Sequence, residues 1–174
     1  MSDFGYEDEN IVRISVLSHP DEETTHLIQR FIEKHSPNST FKNISVISVN
    51  VSTFEWQLSE ALTKVLLIQP VGDFTDKLHT RFYQTSGAVI LFSQDNQDSF
   101  VAAKVFYQNY WKYGDGSSKP IVFIEISNLT DEISINKREK LEEIPNVVYH
   151  SLQLNDIRSF QEILGFLVRK CRNT

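Results

Sequence analysis

The chain has 174 residues, of which 40% are hydrophobic and 23% charged, as in a folded globular protein of one domain. Its 23 acidic and 17 basic side chains give a net charge of −6, which argues against a nucleic-acid-binding surface.

A single cysteine, Cys171, excludes an internal disulfide and a cysteine-rich zinc site. Residues 1–10 are predicted to be an acidic flexible tail, unlike a signal peptide, and residues 11–174 a single domain. No apolar run is long enough to span a bilayer, so we expect a cytoplasmic or nuclear protein.

The first half of this domain combines one helix with several short strands. A strand is predicted over residues 11–17, followed by a helix over 24–35 whose apolar side chains share one face. A β-branched stretch follows at 44–51, and residues 54–58 either continue it or form a separate edge strand. A short buried strand is predicted over 65–68.

The second half of the domain alternates helices with strands. Helices are predicted over residues 75–83, 99–113, 137–141 and 156–171, and strands over 88–92, 121–126 and 147–149. Short apolar strands that alternate with helices indicate a mostly parallel sheet with helices on both faces. The predicted fold class is therefore α/β, with about six strands and one antiparallel edge strand contributed by the early hairpin.

Residues 81–92 carry the most distinctive pattern of the chain, RFYQTSGAVILF, in which two aromatic residues and several small residues precede an apolar strand. Ser99 and Phe100 follow at the start of the next predicted helix. In these features, and in length and order of elements, the chain resembles the small GTPases of the Ras superfamily, with Rab proteins nearest. The resemblance covers roughly residues 11–171 and implies a small-GTPase-like domain of the P-loop NTPase type.

The segment after the first strand departs from the phosphate loop of that family. The family's loop, Gly-x-x-x-x-Gly-Lys-Ser/Thr, wraps phosphates with backbone N–H groups, adds a lysine and binds Mg²⁺ through its last hydroxyl. At the matching positions this chain has Ser18, Glu23, Thr24 and Thr25. Only the hydroxyl, on Thr25, is retained.

Three consecutive carboxylates, Asp21, Glu22 and Glu23, also stand where phosphate oxygens would lie. Two like charges about 4 Å apart repel by roughly 4 kcal/mol at an effective dielectric constant near 20, which corresponds to about a thousandfold in affinity. Acidic residues after Pro20 also suit the first turn of a helix. We therefore expect the protein's own carboxylates to occupy the helix N-terminus that phosphate would otherwise use.

The other nucleotide motifs are also altered. The family's Asp-x-x-Gly has no Asp in the corresponding stretch 68–72, and its catalytic Gln is replaced by Asp73. The guanine-reading Asn-Lys-x-Asp is represented by Asn128 and Asp131 without the lysine, either as a base-reading remnant or as an unrelated turn. The Ser-Ala-Lys loop before the last helix is absent.

Four aromatic residues are predicted to contact partner proteins. Trp111 falls outside the register of the sheet-packing residues of its helix, and Phe54 and Trp56 alternate with polar residues on the predicted edge strand. In Rab proteins this hairpin and its flanking loops bind effectors, and Phe74 completes the set. The alternative for Trp111 and Trp56 is packing against neighbouring parts of the chain.

These observations favour a non-catalytic pseudo-GTPase that acts as a protein-interaction or scaffold module of a multiprotein assembly. The resemblance implies membrane traffic as its setting. We predict no cofactor, no metal, no nucleic acid and no integral membrane association. One alternative is an atypical small GTPase that binds or slowly hydrolyses GTP, with Mg²⁺ on Thr25. Another is a flavodoxin-like or receiver-like domain, which is disfavoured because the first loop lacks a flavin phosphate cradle and the strand end lacks an acidic pair.

Overall fold

The computed structural model describes residues 12–19, 22–35, 44–46, 49–58, 61–70, 84–114, 118–127 and 147–172. The elements in chain order are β1 (Arg13–Ser18), α1 (Glu22–His35), β2 (Ile44–Val46), β3 (Val49–Leu58), β4 (Ala61–Pro70), β5 (Gly87–Ser93), α2 (Gln97–Tyr113), β6 (Ile121–Ser127), β7 (Val147–Gln153) and α3 (Ile157–Arg172). The helices predicted over 75–83 and 137–141 lie outside the described residues.

These strands form one sheet in the order β2-β3-β4-β1-β5-β6-β7. Among these strands β3 alone runs in the opposite direction and pairs antiparallel with β2 and β4, whereas β4, β1, β5, β6 and β7 pair with one another in parallel. The prediction of an α/β fold with a mostly parallel sheet is therefore confirmed.

The strand count and the identity of the edge strand differ from the prediction. The described residues form seven strands rather than about six, because the stretch 44–51 folds back on itself. Ile44 pairs with Val51 and Val46 with Val49, so this stretch makes β2 and the beginning of β3. The edge of the sheet at that end is β2, and the antiparallel strand lies one place further in.

Helices cover both faces of the sheet, as predicted. α1 and α3 pack on one face, where the rings of Phe31 and Phe160 meet edge to face with centroids 5.0 Å apart. α2 packs on the other face through buried side chains that include Phe100, Phe106 and Tyr110. Because both faces are covered, β5 and β6 are buried along their whole length and show a continuous apolar run instead of alternation.

Gly87 allows α3 to approach β5 closely. A β-carbon at this position would lie 2.6 Å from Sγ of Cys171 and 3.1 Å from the carbonyl oxygen of Pro120. The Cys171 thiol donates a hydrogen bond to the carbonyl oxygen of Ser86 at 3.4 Å, and burial raises its pKa to about 12. Cys171 is thus part of the packing between α3 and the sheet.

A buried polar network joins β1, β5 and α2. The hydroxyl oxygens of Ser15 and Thr85 are 2.8 Å apart, and the Thr85 hydroxyl also donates to the carbonyl oxygen of Gly87 at 3.1 Å. The hydroxyl of Tyr110 donates to the carbonyl oxygen of Thr85 at 3.2 Å, and burial raises the pKa of Tyr110 to about 12. Because each of these groups has a partner, the network fixes α2 on the sheet at little cost in desolvation.

Candidate functional site

The candidate site lies at the carboxyl ends of β1 and β5. In an open α/β sheet, ligands bind beyond the carboxyl ends of the strands, at a point where neighbouring strands connect in opposite directions. β1 leads through α1 towards β4 on one side, whereas β5 leads through α2 to β6 on the other. We call the region between these two strand ends the switch-point crevice.

The end of β1 and the start of α1 lie on one side of this crevice. Ser18, the last residue of β1, is fully buried and lies in register with Leu91 of β5. Thr24 is also fully buried, and its hydroxyl donates to the carbonyl oxygen of His19 at 2.6 Å. Thr25 is half-buried one position further along α1. Thr24, which the resemblance places at the lysine position of a phosphate loop, therefore has a hydroxyl that is bound to the preceding backbone.

Glu23 bridges the crevice. Its Oε2 accepts a hydrogen bond from the hydroxyl of Ser93, the last residue of β5. The backbone N–H of Ser93 donates in turn to Oγ of Ser99, in the first turn of α2, at 3.0 Å. A carboxylate from the first turn of α1 is thus tied to the end of the neighbouring strand and, through it, to the start of α2.

This arrangement places negative charge where a helix favours it. The first turn of a helix has N–H groups without partners in the helix and a partial positive charge, so a carboxylate there is stabilised. In α1 the half-buried Glu23 belongs to that turn. A phosphate entering the crevice would have to replace the Glu23–Ser93 hydrogen bond and approach a like charge.

Two of the predicted partner-contacting residues lie on β3. Phe54 and Trp56 lie in β3, in register with Val65 and Thr63 of β4. β2 pairs only with residues 49–51 of β3, so among the described strands the rest of β3 forms the edge of the sheet. Phe74, Asn128 and Asp131 lie outside the described residues, as do Pro20 and Asp21.

Trp111 lies on α2, far from the crevice. It is 41% exposed, as its register predicted, and its ring centroid is 6.0 Å from that of Tyr107. Because α2 begins beside the end of β5, Trp111 is about 20 Å along the helix axis from the crevice. The structure therefore groups Ser18, Glu23, Thr24 and Thr25 and separates them from Trp111.

Sequence reasoning missed two polar residues. Ser93 is the hydrogen-bond donor to Glu23, and Glu125 is a fully buried carboxylate in β6. Oε2 of Glu125 accepts a hydrogen bond from the hydroxyl of Tyr149, whereas its Oε1 has no hydrogen-bond partner in the described part of the chain. Glu125 is the one charged residue in the otherwise apolar stretch 121–126, and this exception could have marked it in the sequence as a residue with a special role.

The comparison with family models gives no match for this chain, and neither does the search of curated proteins. Among the described residues, no group of three His, Cys, Asp or Glu side chains is placed to hold a metal ion. None of the helices in the described ranges is both long and apolar enough to cross a membrane.

Proposed function

We propose that this protein is a pseudo-GTPase, a small-GTPase-like domain without catalysis that serves as a protein-interaction module in a multiprotein assembly. The hydrogen bond from Ser93 to Glu23 is the observation that carries the proposal. It joins the first turn of α1 to the end of β5, beside the place where a nucleotide phosphate would bind, and it uses a carboxylate of the protein to do so.

The sheet supports the small-GTPase part of the proposal. It is mostly parallel and has one antiparallel strand, β3, next to the short edge strand β2. A mostly parallel sheet with an antiparallel strand towards one edge supports the arrangement that the resemblance implies. The family relationship itself remains a prediction from sequence motifs.

The chemistry of the switch-point crevice supports the absence of catalysis. The family's lysine is replaced by Thr24, whose hydroxyl is bound to the backbone of the same loop. Without that cation, a phosphate oxygen about 4 Å from the Glu23 carboxylate would be repelled by roughly 4 kcal/mol at an effective dielectric constant near 20. We therefore propose that the protein needs neither nucleotide nor Mg²⁺.

An interaction module without a nucleotide has a fixed surface. Small GTPases order their switch segments through γ-phosphate contacts, and we propose that in this protein a fixed conformation replaces that nucleotide switch. We propose Phe54, Trp56, Phe74 and Trp111 as contacts to partner proteins, and membrane traffic as the setting that the resemblance suggests.

Nucleotide content and turnover test this proposal. The purified protein is denatured, the supernatant is analysed by anion-exchange chromatography, and GTP hydrolysis by the native protein with Mg²⁺ is followed by phosphate release. We expect no released nucleotide and no hydrolysis above buffer. Stoichiometric GDP or GTP in the supernatant, or turnover that Thr25→Ala abolishes, would favour an atypical small GTPase instead.

A further inference from the structure

One side of α2 carries exposed side chains that do not pack on the sheet. They recur every three or four residues over three turns and are apolar, basic or amide-bearing: Val101, Lys104, Val105, Gln108, Trp111 and Lys112. We call this set the α2 ridge. At 100° per residue its members fall within an arc of about 120°, and they extend for about 16 Å along the helix.

The α2 ridge concentrates exposed apolar surface. Val101 is 45% exposed, Val105 39% and Trp111 41%, and in the described part of the chain only Phe166 adds another large exposed hydrophobic side chain. Three such residues therefore share one face of a single helix, and exposed apolar side chains grouped in this way suit a contact with another protein.

Trp111 is supported by the core beneath it. Its ring packs at 6.0 Å against the ring of Tyr107, which lies 5.9 Å from the ring of the buried Phe123 in β6. An aromatic side chain held in this way loses little conformational entropy when a partner covers it. Such residues are frequent energetic hot spots in interfaces.

The charge of the α2 ridge is opposite to that of the whole protein. The chain carries a net charge of −6, yet both charged members of the ridge are lysines, Lys104 and Lys112, and the one acidic residue of α2, Asp98, precedes the ridge in the first turn. The ammonium group of Lys104 lies 5.0 Å from the ring centroid of Phe100, and that of Lys112 lies 4.9 Å from that of Tyr113. Both cations therefore lie against aromatic rings of the same helix, Lys104 between Val101 and Val105 in the chain and Lys112 next to Trp111.

We infer that the α2 ridge binds an amphipathic helix of a partner protein, in which an apolar face is flanked by acidic side chains. The apolar face would cover Val101, Val105 and Trp111, and the carboxylates would pair with Lys104 and Lys112. This inference rests on the proposed function as an interaction module and specifies the chemistry of the partner.

Site-directed photo-crosslinking tests the inference. A photoreactive amino acid replaces Gln108 at the centre of the α2 ridge, and in a matched control it replaces Arg158, which is exposed on α3. Each full-length protein is irradiated in lysate of its source cells, and the crosslinked segment is identified by mass spectrometry. We expect a crosslink at position 108 to a helical segment with an apolar face and acidic flanks.

A synthetic peptide of that segment is then titrated against the unmodified protein and its variants. We expect Trp111→Ala, and separately the pair Lys104→Glu and Lys112→Glu, to weaken binding at least about tenfold, whereas Arg158→Ala leaves it unchanged. Circular dichroism verifies that each variant is folded.

The inference is overturned if position 108 crosslinks no more than position 158, if the crosslinked segment lacks acidic flanks, or if the Trp111 and lysine variants bind the peptide as well as the wild-type protein does. Nucleotide in the purified protein would refute the proposed function without changing the crosslink, so the two failures are distinguishable.

Discussion

Replacing Gly87 with alanine tests how closely α3 packs on β5. The new β-carbon would lie 2.6 Å from Sγ of Cys171, 3.1 Å from the carbonyl oxygen of Pro120 and 3.3 Å from Cδ1 of Leu167. Since one of these atoms belongs to the backbone and the others to a packed helix, relaxation is restricted. Adding a methyl group to a filled core costs about 1–3 kcal/mol. We expect Gly87→Ala to lower the free energy of unfolding by about that amount.

A double-mutant cycle assigns this cost to the contact with the thiol. Cys171→Ala removes the nearest atom, so Gly87→Ala should cost less in that background than in the wild-type protein. Residues in direct contact typically show coupling of about 0.5–3 kcal/mol. Urea unfolding of the four proteins, followed by circular dichroism, gives the four free energies. A neutral Gly87→Ala, or an equal cost in both backgrounds, would refute the packing argument.

Three further predictions concern the fold. Tyr110→Phe removes the donor to the Thr85 carbonyl and should lower the free energy of unfolding by about 1 kcal/mol, measured by urea unfolding; an unchanged midpoint contradicts it. Asn96→Ala removes the side chain that accepts two backbone N–H groups at the start of α2 and should also cost about 1 kcal/mol; thermal melting tests this, and an unaltered melting temperature would argue against the cap. Burial raises the pKa of Cys171 from 9.0 to about 12, so the native thiol should resist aromatic disulfide reagents at pH 8 until urea unfolds the protein. Rapid labelling of the native protein would contradict the buried position. Because the thiol ionises at lower pH in the unfolded protein than in the native one, the stability that buried Cys171 contributes should be lost as pH rises from about 9 to about 12.

The sequence predicted the central strands well, because their burial on both faces produces continuous apolar runs. β5 and β6 end within one residue of the predicted ranges 88–92 and 121–126. β4 was predicted over only 65–68 but covers Ala61–Pro70, since its antiparallel pairing with β3 supplies hydrogen bonds along the whole strand. A local pattern cannot reveal this support from another strand.

The candidate site was predictable only in part. Glu23 was expected at the N-terminus of a helix, because acidic residues follow Pro20 in the chain. Its partner Ser93 is 70 residues away and reaches it only because β1 and β5 are neighbours with Ser18 opposite Leu91. Tyr149 reaches Glu125 in the same way, through the pairing of β6 with β7.

The most direct test of the central claim, that Glu23 occupies the position of a nucleotide phosphate, is a calorimetric titration of the purified protein with GTP and GDP in the presence of Mg²⁺. Glu23→Gln keeps an acceptor oxygen for Ser93 but removes the charge, and Glu162→Gln makes the same change at an exposed position on α3. We predict that the wild-type protein binds neither GTP nor GDP up to about 1 mM. If either variant gains affinity for these nucleotides, it should be Glu23→Gln and not Glu162→Gln. A micromolar dissociation constant for the wild-type protein would contradict it.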